Sequence, residues 1–342
     1  MFRKILISML LVICFTVISG CTEKKEKLYI YNWSDYILED VLREFEKENN
    51  CEIVYDVYSS NEEMFAKLKA GGTGYDIVFP SISHVELMIR EGMVDKIDKS
   101  KLSNFKYLDK EMLEKITFDP ECDYNIPYVI SSTGIAVNKK YVKDYKHSWS
   151  IFERSDLKGR MTLLDDMREV MGAALIYLGY SVNSTNKDEL GKAKETVIKW
   201  KQNIIKFDAE AFGKGFANGD FWIVQGYGEN IFLEMDDSMK KDVDYFIPDE
   251  GGILWIDSMV ILKDGKNKEM SHKFINYIHE PQVMARIIDH LGSASVNREA
   301  LKYVTDKPMY DKTNLSRCEV LKDLGDDIEL YNKIWQEIRV GK

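Results

Sequence analysis

Three short runs, Leu28-Tyr-Ile-Tyr31, Ile53-Val-Tyr-Asp-Val-Tyr58 and Tyr75-Asp-Ile-Val-Phe-Pro80, decide the architecture because helical patterns fill the intervals between them. Each run is rich in β-branched and aromatic residues and has strand length. After the first, Ile37, Leu38, Val41, Leu42 and Phe45 recur at helical spacing. After the second, Asn61 offers an N-cap to a helix running through Leu68 and ending at Gly71-Gly72. Ser81 to Gly92 reads as the next helix. Strands alternating with helices at this interval predict a parallel sheet covered on both faces. In such sheets ligands bind beyond the carboxyl ends of the strands, which singles out the loops at 32–36 and 80–84.

The pattern resumes further along the chain. Ile126-Pro-Tyr128 and Gly134-Ile-Ala-Val-Asn138 read as strands that leave the first lobe for a second. Met161-Thr-Leu-Leu164 is a strand there, and Val170 to Leu178 a helix closed by Gly179. Phe221-Trp-Ile-Val224 is another strand, followed by a glycine loop at Gly226-Tyr-Gly228. Leu254 to Leu262 is a long β-type run able to cross back. No internal repeat, low-complexity stretch or flexible linker separates the halves, as expected of two lobes joined by strands that cross between them.

The 342 residues are enough for two domains after an amino-terminal leader. Arg3 and Lys4 precede an apolar run of 14 residues, Ile5 to Ile18, which has signal-peptide length and falls short of a membrane span. Ile18-Ser-Gly-Cys21 then resembles a bacterial lipobox, and the polar stretch from Thr22 to Lys27 reads as a tether for a lipid carried on Cys21. Loss of the two leader cations takes the formal charge from −10 to −12. That balance argues against a nucleic-acid partner and would steer a cationic ligand inward. Cys51, Cys122 and Cys318 are scattered without metal-ligand spacing, and buried small hydrophobes account for them.

Motifs for catalysis are absent: there is no HExxH, GxSxG, Walker lysine loop or GxGxxG. Aromatic residues instead keep company with carboxylates. Trp33, Ser34, Asp35 and Tyr36 follow the first strand; Asp165, Asp166 and Glu169 open a helix; Tyr227 and Glu229 flank a glycine; Trp255 and Asp257 share a strand. A ligand with several ammonium groups on an alkyl chain needs this mixture. Carboxylates supply charge-assisted hydrogen bonds, and aromatic faces line the chain and add cation–π attraction. Each piece also has a structural reading. Asp166-Met-Arg-Glu169 fits a helix-capping box, and Trp255 fits a core strand. Asp257 in an apolar strand must be paired if buried.

Six segments carry a resemblance that extends from Leu28 to the end of the chain. They are Tyr31-Asn-Trp-Ser-Asp-Tyr36, Ser60 to Leu68, Tyr75 to Ser81, Ile97 to Leu102, Asp166 to Val170, and Glu250-Gly-Gly-Ile-Leu-Trp-Ile-Asp-Ser258. In this order they resemble the spermidine/putrescine-binding proteins of bacterial ABC importers. The resemblance implies an α/β, two-lobed periplasmic-binding-protein fold of type II. Each lobe would be a mixed, mainly parallel sheet flanked by helices, and two crossing segments would join them. The expected boundaries are a signal peptide at 1–20, a tether at 21–27, one lobe at 28–132 and 258–305, and the other at 133–257 and 306–342.

The resemblance also implies a function: capture of a polyamine between the lobes and delivery to an ABC permease driven by separate ATPase subunits. The carrier would be a lipid-anchored monomer on the extracytoplasmic face of a membrane, without a cofactor, a metal or enzymatic activity. Trp33, Ser34, Asp35, Tyr36 and Ser81 match the family's first-lobe contacts, and Asp166, Glu169, Trp255 and Asp257 match the acidic and aromatic residues around the ligand. Ser83 and Ser293 stand where spermidine-preferring relatives carry aromatics, Tyr227 replaces a tryptophan, and Leu321 falls where those relatives have glutamine. Asp35, Ser83 and Leu321 resemble the putrescine branch, Asp166 and Trp255 the spermidine branch. The rival expectations are the same fold around another small solute, or a lipid-anchored hydrolase using the carboxylates.

Overall fold

The computed structural model describes residues 25–72, 74–305 and 312–341. The leader and the lipidation site at Cys21 lie outside the described residues. The first lobe opens with β1 (Glu26–Trp33), α1 (Glu39–Asn49), β2 (Cys51–Tyr58), α2 (Asn61–Lys69), the two-residue β3 (Ile77–Val78) and α3 (Ile82–Arg90). β1 runs parallel to both β2 and β3. The alternating pattern therefore becomes a sheet as expected, and β1 begins at Glu26, inside the expected tether. α1 turns Val41 and Phe45 into the core and ends on Asn50 in the left-handed conformation, φ 48°. One detail differs at α2. Ser60, not Asn61, is the cap, its hydroxyl accepting from the Glu63 N–H at 3.1 Å, which frees the Asn61 amide for other work.

β4 (Ile126–Asn138) is one continuous strand of 13 residues where sequence reading gives two. The polar break at Ser131-Ser132-Thr133 hides the continuity. Inside the protein Ser132 is fully buried and its hydroxyl donates to the Ile253 carbonyl at 2.8 Å, which satisfies that polar side chain as the strand passes through. The second lobe follows: β5 (Met161–Leu163), α4 (Met167–Tyr177), α5 (Lys187–Lys201), β6 (Ile204–Phe207), α6 (Phe212–Ala217), β7 (Ile223–Tyr227), α7 (Gly228–Leu233) and β8 (Val243–Phe246). The expected glycine loop is absent. Gly226 and Tyr227 finish β7, and Gly228 starts α7 directly. The chain returns through β9 (Ile253–Ile261) to α8 (Lys268–Ile278), α9 (Pro281–Leu291) and β10 (Ala294–Ser295), and then runs to β11 (Glu319–Val320) and α10 (Ile328–Val340).

The strands join in the order β2-β1-β3-β9-β4-β7-β5-β6. β9 and β4 lie at the middle, antiparallel to each other from Ile126↔Met259 to Ser132↔Leu254. Each then extends into a different neighbourhood: β9 against β3, β4 against β7 and β8. These are the two crossing segments. On either side the apolar cores separate. One gathers Leu28, Phe45, Phe79, Tyr128 and Phe274; the other gathers Trp149, Phe152, Val170, Trp200 and Tyr331. Cys51, Cys122 and Cys318 are free, buried and all in the first core. Among the described residues no helix is long and apolar enough to cross a membrane.

Candidate functional site

The cleft between the cores is lined where the crossing strands meet both lobes. On β9, Trp255 and Asp257 sit two positions apart and so project from one face, about 7 Å apart along the strand. Ile256 between them is buried on the opposite side. A bridge between Ser81 and Asp257, with Ser258 N–H donating to the Pro80 carbonyl at 3.0 Å, ties the N-terminus of α3 to this point of β9.

Asp257, half-buried on this apolar strand, is paired. The Ser81 hydroxyl donates to Oδ1 at 2.6 Å, and the Tyr36 hydroxyl donates a short hydrogen bond to Oδ2. Ser81 is itself held by Asn61, whose Nδ2 donates to Ser81 Oγ at 3.0 Å and whose Oδ1 accepts from Ser81 N–H at 3.1 Å. Tyr36 is held by Tyr128 on β4, whose hydroxyl donates to the Tyr36 carbonyl at 2.6 Å. Burial raises the Asp257 carboxyl above its ordinary range, and the Ser81 and Tyr36 hydroxyls partly offset this. Trp33 completes the wall, its indole N–H donating to the Phe79 carbonyl at 2.9 Å and its ring 6.5 Å from that of Tyr36.

The opposite wall belongs to α4. Asp166 is its N-cap, with Oδ1 accepting from Arg168 N–H at 2.8 Å and Glu169 N–H at 3.0 Å. The reciprocal half of a capping box is missing, because the Glu169 side chain turns away from the cap. Its Oε1 accepts the Trp255 indole N–H at 2.5 Å, while Oε2 is buried with no hydrogen-bond partner among the described residues. Glu169 is fully buried. Burial first, and the Asp166 carboxylate second, push its carboxyl up to about 8. Tyr227, at the end of β7, meets Trp255 edge to face at 6.3 Å.

Two expected residues stand apart. Ser34 and Asp35 occupy an exposed turn, Asp35 at φ 54°, and neither side chain makes a hydrogen bond to the cluster. Ser83 is half-buried on the first turn of α3, its hydroxyl 3.5 Å from His84 Nδ1. Ser293 is buried and its hydroxyl reaches across the cleft to Glu229 Oε1 at 3.3 Å. Leu321 packs in the second core instead of facing solvent. Glu229, Asn61, Tyr128 and Thr133 also shape the site. Glu229 shares the β7–α7 junction with Tyr227, which is the sequence signal for it; the other three give none before the fold brings them together. No cluster among the described residues could hold a metal ion.

A model of the bacterial extracellular solute-binding protein family matches residues 40–314. The chain belongs to this family. Its members and the relatives below are solute-binding transport proteins, which sets the hydrolase expectation aside. The chain is 37% identical to the spermidine/putrescine-binding periplasmic protein of Escherichia coli over 92% of each chain. It is 34% identical to the putrescine/cadaverine-binding protein of Pseudomonas aeruginosa, over 96% of this chain and 99% of the relative. Among solved structures, the TpPotD lipoprotein of Treponema pallidum is 41% identical, with a TM-score of 0.86 over 92% of this chain and all of that one. The two-lobed periplasmic-binding-protein architecture is thus shared with proteins close in sequence.

Proposed function

We propose that this solute-binding protein captures a polyamine in the inter-lobe cleft and hands it to an ABC permease. The observation that carries the reading is a pair of carboxyl groups on opposite walls, Asp257 half-buried and Glu169 fully buried, with Trp255 two positions from Asp257 on β9 and bonded to Glu169 through its indole N–H. An ammonium group bonding to Asp257 would sit beside Trp33 and Tyr36, and one bonding to Glu169 or Asp166 would sit beside Tyr227 and Trp255. The methylene chain between them would lie on aromatic faces. A sugar or an anion would make no use of the charge-assisted hydrogen bonds that these carboxyl groups can offer a cation.

The lobes would be residues 28–132 with 258–305, and 133–257 with 306–342, the last segment lending Leu315, Cys318 and Val320 to the first core, and they would close about β4 and β9 on a ligand that contacts both. Lipid on Cys21 would hold the monomer at the membrane near its permease; the Treponema relative is a lipoprotein by name. Ser34, Asp35, Ser83 and Ser293 would shape the ends of the cleft, where the choice between putrescine and spermidine is made.

The test is calorimetric titration of the refolded, lipid-free protein with putrescine, cadaverine, spermidine and spermine. One-to-one saturable binding to at least one of them is expected. A folded protein that gives no heat with any would move the ligand to another class of solute.

A further inference from the structure

Glu169 is the group in the cleft whose surroundings suit an acid better than an anion. Its side chain is fully buried, and one oxygen is fixed by the Trp255 indole while the other has no donor among the described residues. The charged and titratable groups facing it are Asp166 and Arg168 on its own helix and Tyr227 on β7. The Thr133 hydroxyl on β4 is close enough to oppose the upward shift of the Glu169 carboxyl, as the Trp255 indole does, though it lies beyond direct hydrogen-bond distance. Asp166 repels a second negative charge. Arg168 is the nearest cation in sequence, yet its guanidinium turns outward to the Lys322 carbonyl at 3.2 Å, Asn183 Oδ1 at 2.9 Å and the face of Tyr331. Asp257 is the contrast, with a hydroxyl donor on each oxygen.

We propose that Glu169 is protonated in the empty cleft and surrenders its proton to solvent when a cationic ligand enters, so that capture of the ligand releases a proton. The inference rests on the polyamine reading and adds its regulation. In the step, the Glu169 O–H bond breaks, the proton leaves to water, and the carboxylate so formed pairs with an ammonium group that arrives already protonated. Charge in the closed cleft is conserved, since one cation enters as another leaves. The Trp255 indole stays on Oε1 throughout, which leaves Oε2 as the oxygen to meet the ammonium group.

The energetic sense is that an unpaired anion at this depth is costly, whereas an anion paired with an ammonium is not. The carboxyl value of about 8 in the empty protein is consistent with this. Binding would then strengthen roughly tenfold between pH 6 and pH 7, as the proton to be displaced becomes easier to lose, and level off above about pH 8.

The experiment is titration of the refolded protein with putrescine and spermidine in buffers of differing ionisation enthalpy, at pH 6, 7 and 8, for wild type and Glu169→Gln. Wild type should release close to one proton per ligand at pH 7 and clearly less at pH 8, and the variant should release none and bind with a flat pH dependence. Wild-type binding without proton release overturns the coupling alone, as does a variant that releases as many protons as wild type. Absence of binding by both amines and by cadaverine and spermine overturns the polyamine reading with it. If Glu169→Gln does not fold, the wild-type proton count decides by itself.

Discussion

Asp257 is half-buried and Glu169 fully buried, and the protein treats the two acids differently, in a way that is measurable residue by residue. Asp257 is solvated by two protein hydroxyls and is ready to meet a cation. Asp257→Asn keeps the shape and removes the charge, and should weaken polyamine binding by roughly 2–5 kcal/mol in calorimetry; unchanged affinity would reject its role. Glu169 carries a stability signature of its own. Its folded value of about 8 lies above the ordinary 4.5, so its contribution to folding is full below about pH 4.5 and is lost as pH rises through about 8. Glu169→Gln removes that loss. In denaturant melts of the empty protein, the variant should gain on wild type between pH 5 and pH 8, by up to a few kcal/mol. A gap that stays constant across that range would mean the carboxyl titrates normally.

At the scale of elements, the junction between β7 and α7 positions Tyr227 with no loop at all, and glycine makes this possible. A Cβ on Gly226 would lie 2.3 Å from the ring of Phe212, a buried residue of α6. Gly226→Ala should cost about 1–3 kcal/mol in a denaturant melt, and because Tyr227 is the next residue it should also lower ligand affinity. A variant as stable as wild type would show that α6 yields freely. This junction also marks the boundary of what sequence reveals. The first-lobe strands and helices are legible because apolar periodicity switches cleanly between 2 and 3.6. Gly226-Tyr-Gly228 reads as a loop because glycines punctuate loops, and only the packed Phe212 ring explains why a strand needs one there. β4 is split on paper by Ser131-Ser132-Thr133, of which Ser132 finds partners for its hydroxyl and its carbonyl at Ile253 and Tyr245, more than a hundred residues away. For the site, residue type and local company pick out Trp33, Tyr36, Asp166, Glu169, Trp255 and Asp257. Asn61 looks like a helix cap until Ser81 arrives beside it, and the Glu229–Ser293 contact depends on how the lobes face each other, which no local pattern encodes.

For the whole molecule, the lobes touch beyond the cleft as well. Arg90, at the far end of the helix that begins beside Ser81, pairs with Asp323 at 2.6 Å, and Asp323 follows Leu321 of the second core. The pair is solvent-accessible, so its contribution is small and screened by salt. Arg90→Glu should weaken ligand binding slightly at low salt and less at high salt, with Asp323→Arg restoring it in the double variant. If the single variant binds as wild type at low ionic strength, the contact does not take part in closure.

The division of the cores has a practical consequence. Every free thiol among the described residues is sealed in the first core, whereas Trp149 and Trp200 are sealed in the second, their rings 6.4 Å apart. Reaction with an alkylating reagent therefore reports the opening of one half, and the exposure of that indole pair to a soluble quencher reports the opening of the other. Under increasing denaturant, coincident midpoints would mean that the paired crossing strands make the two halves melt as one cooperative unit, and separated midpoints would mean that each half is a folding unit of its own.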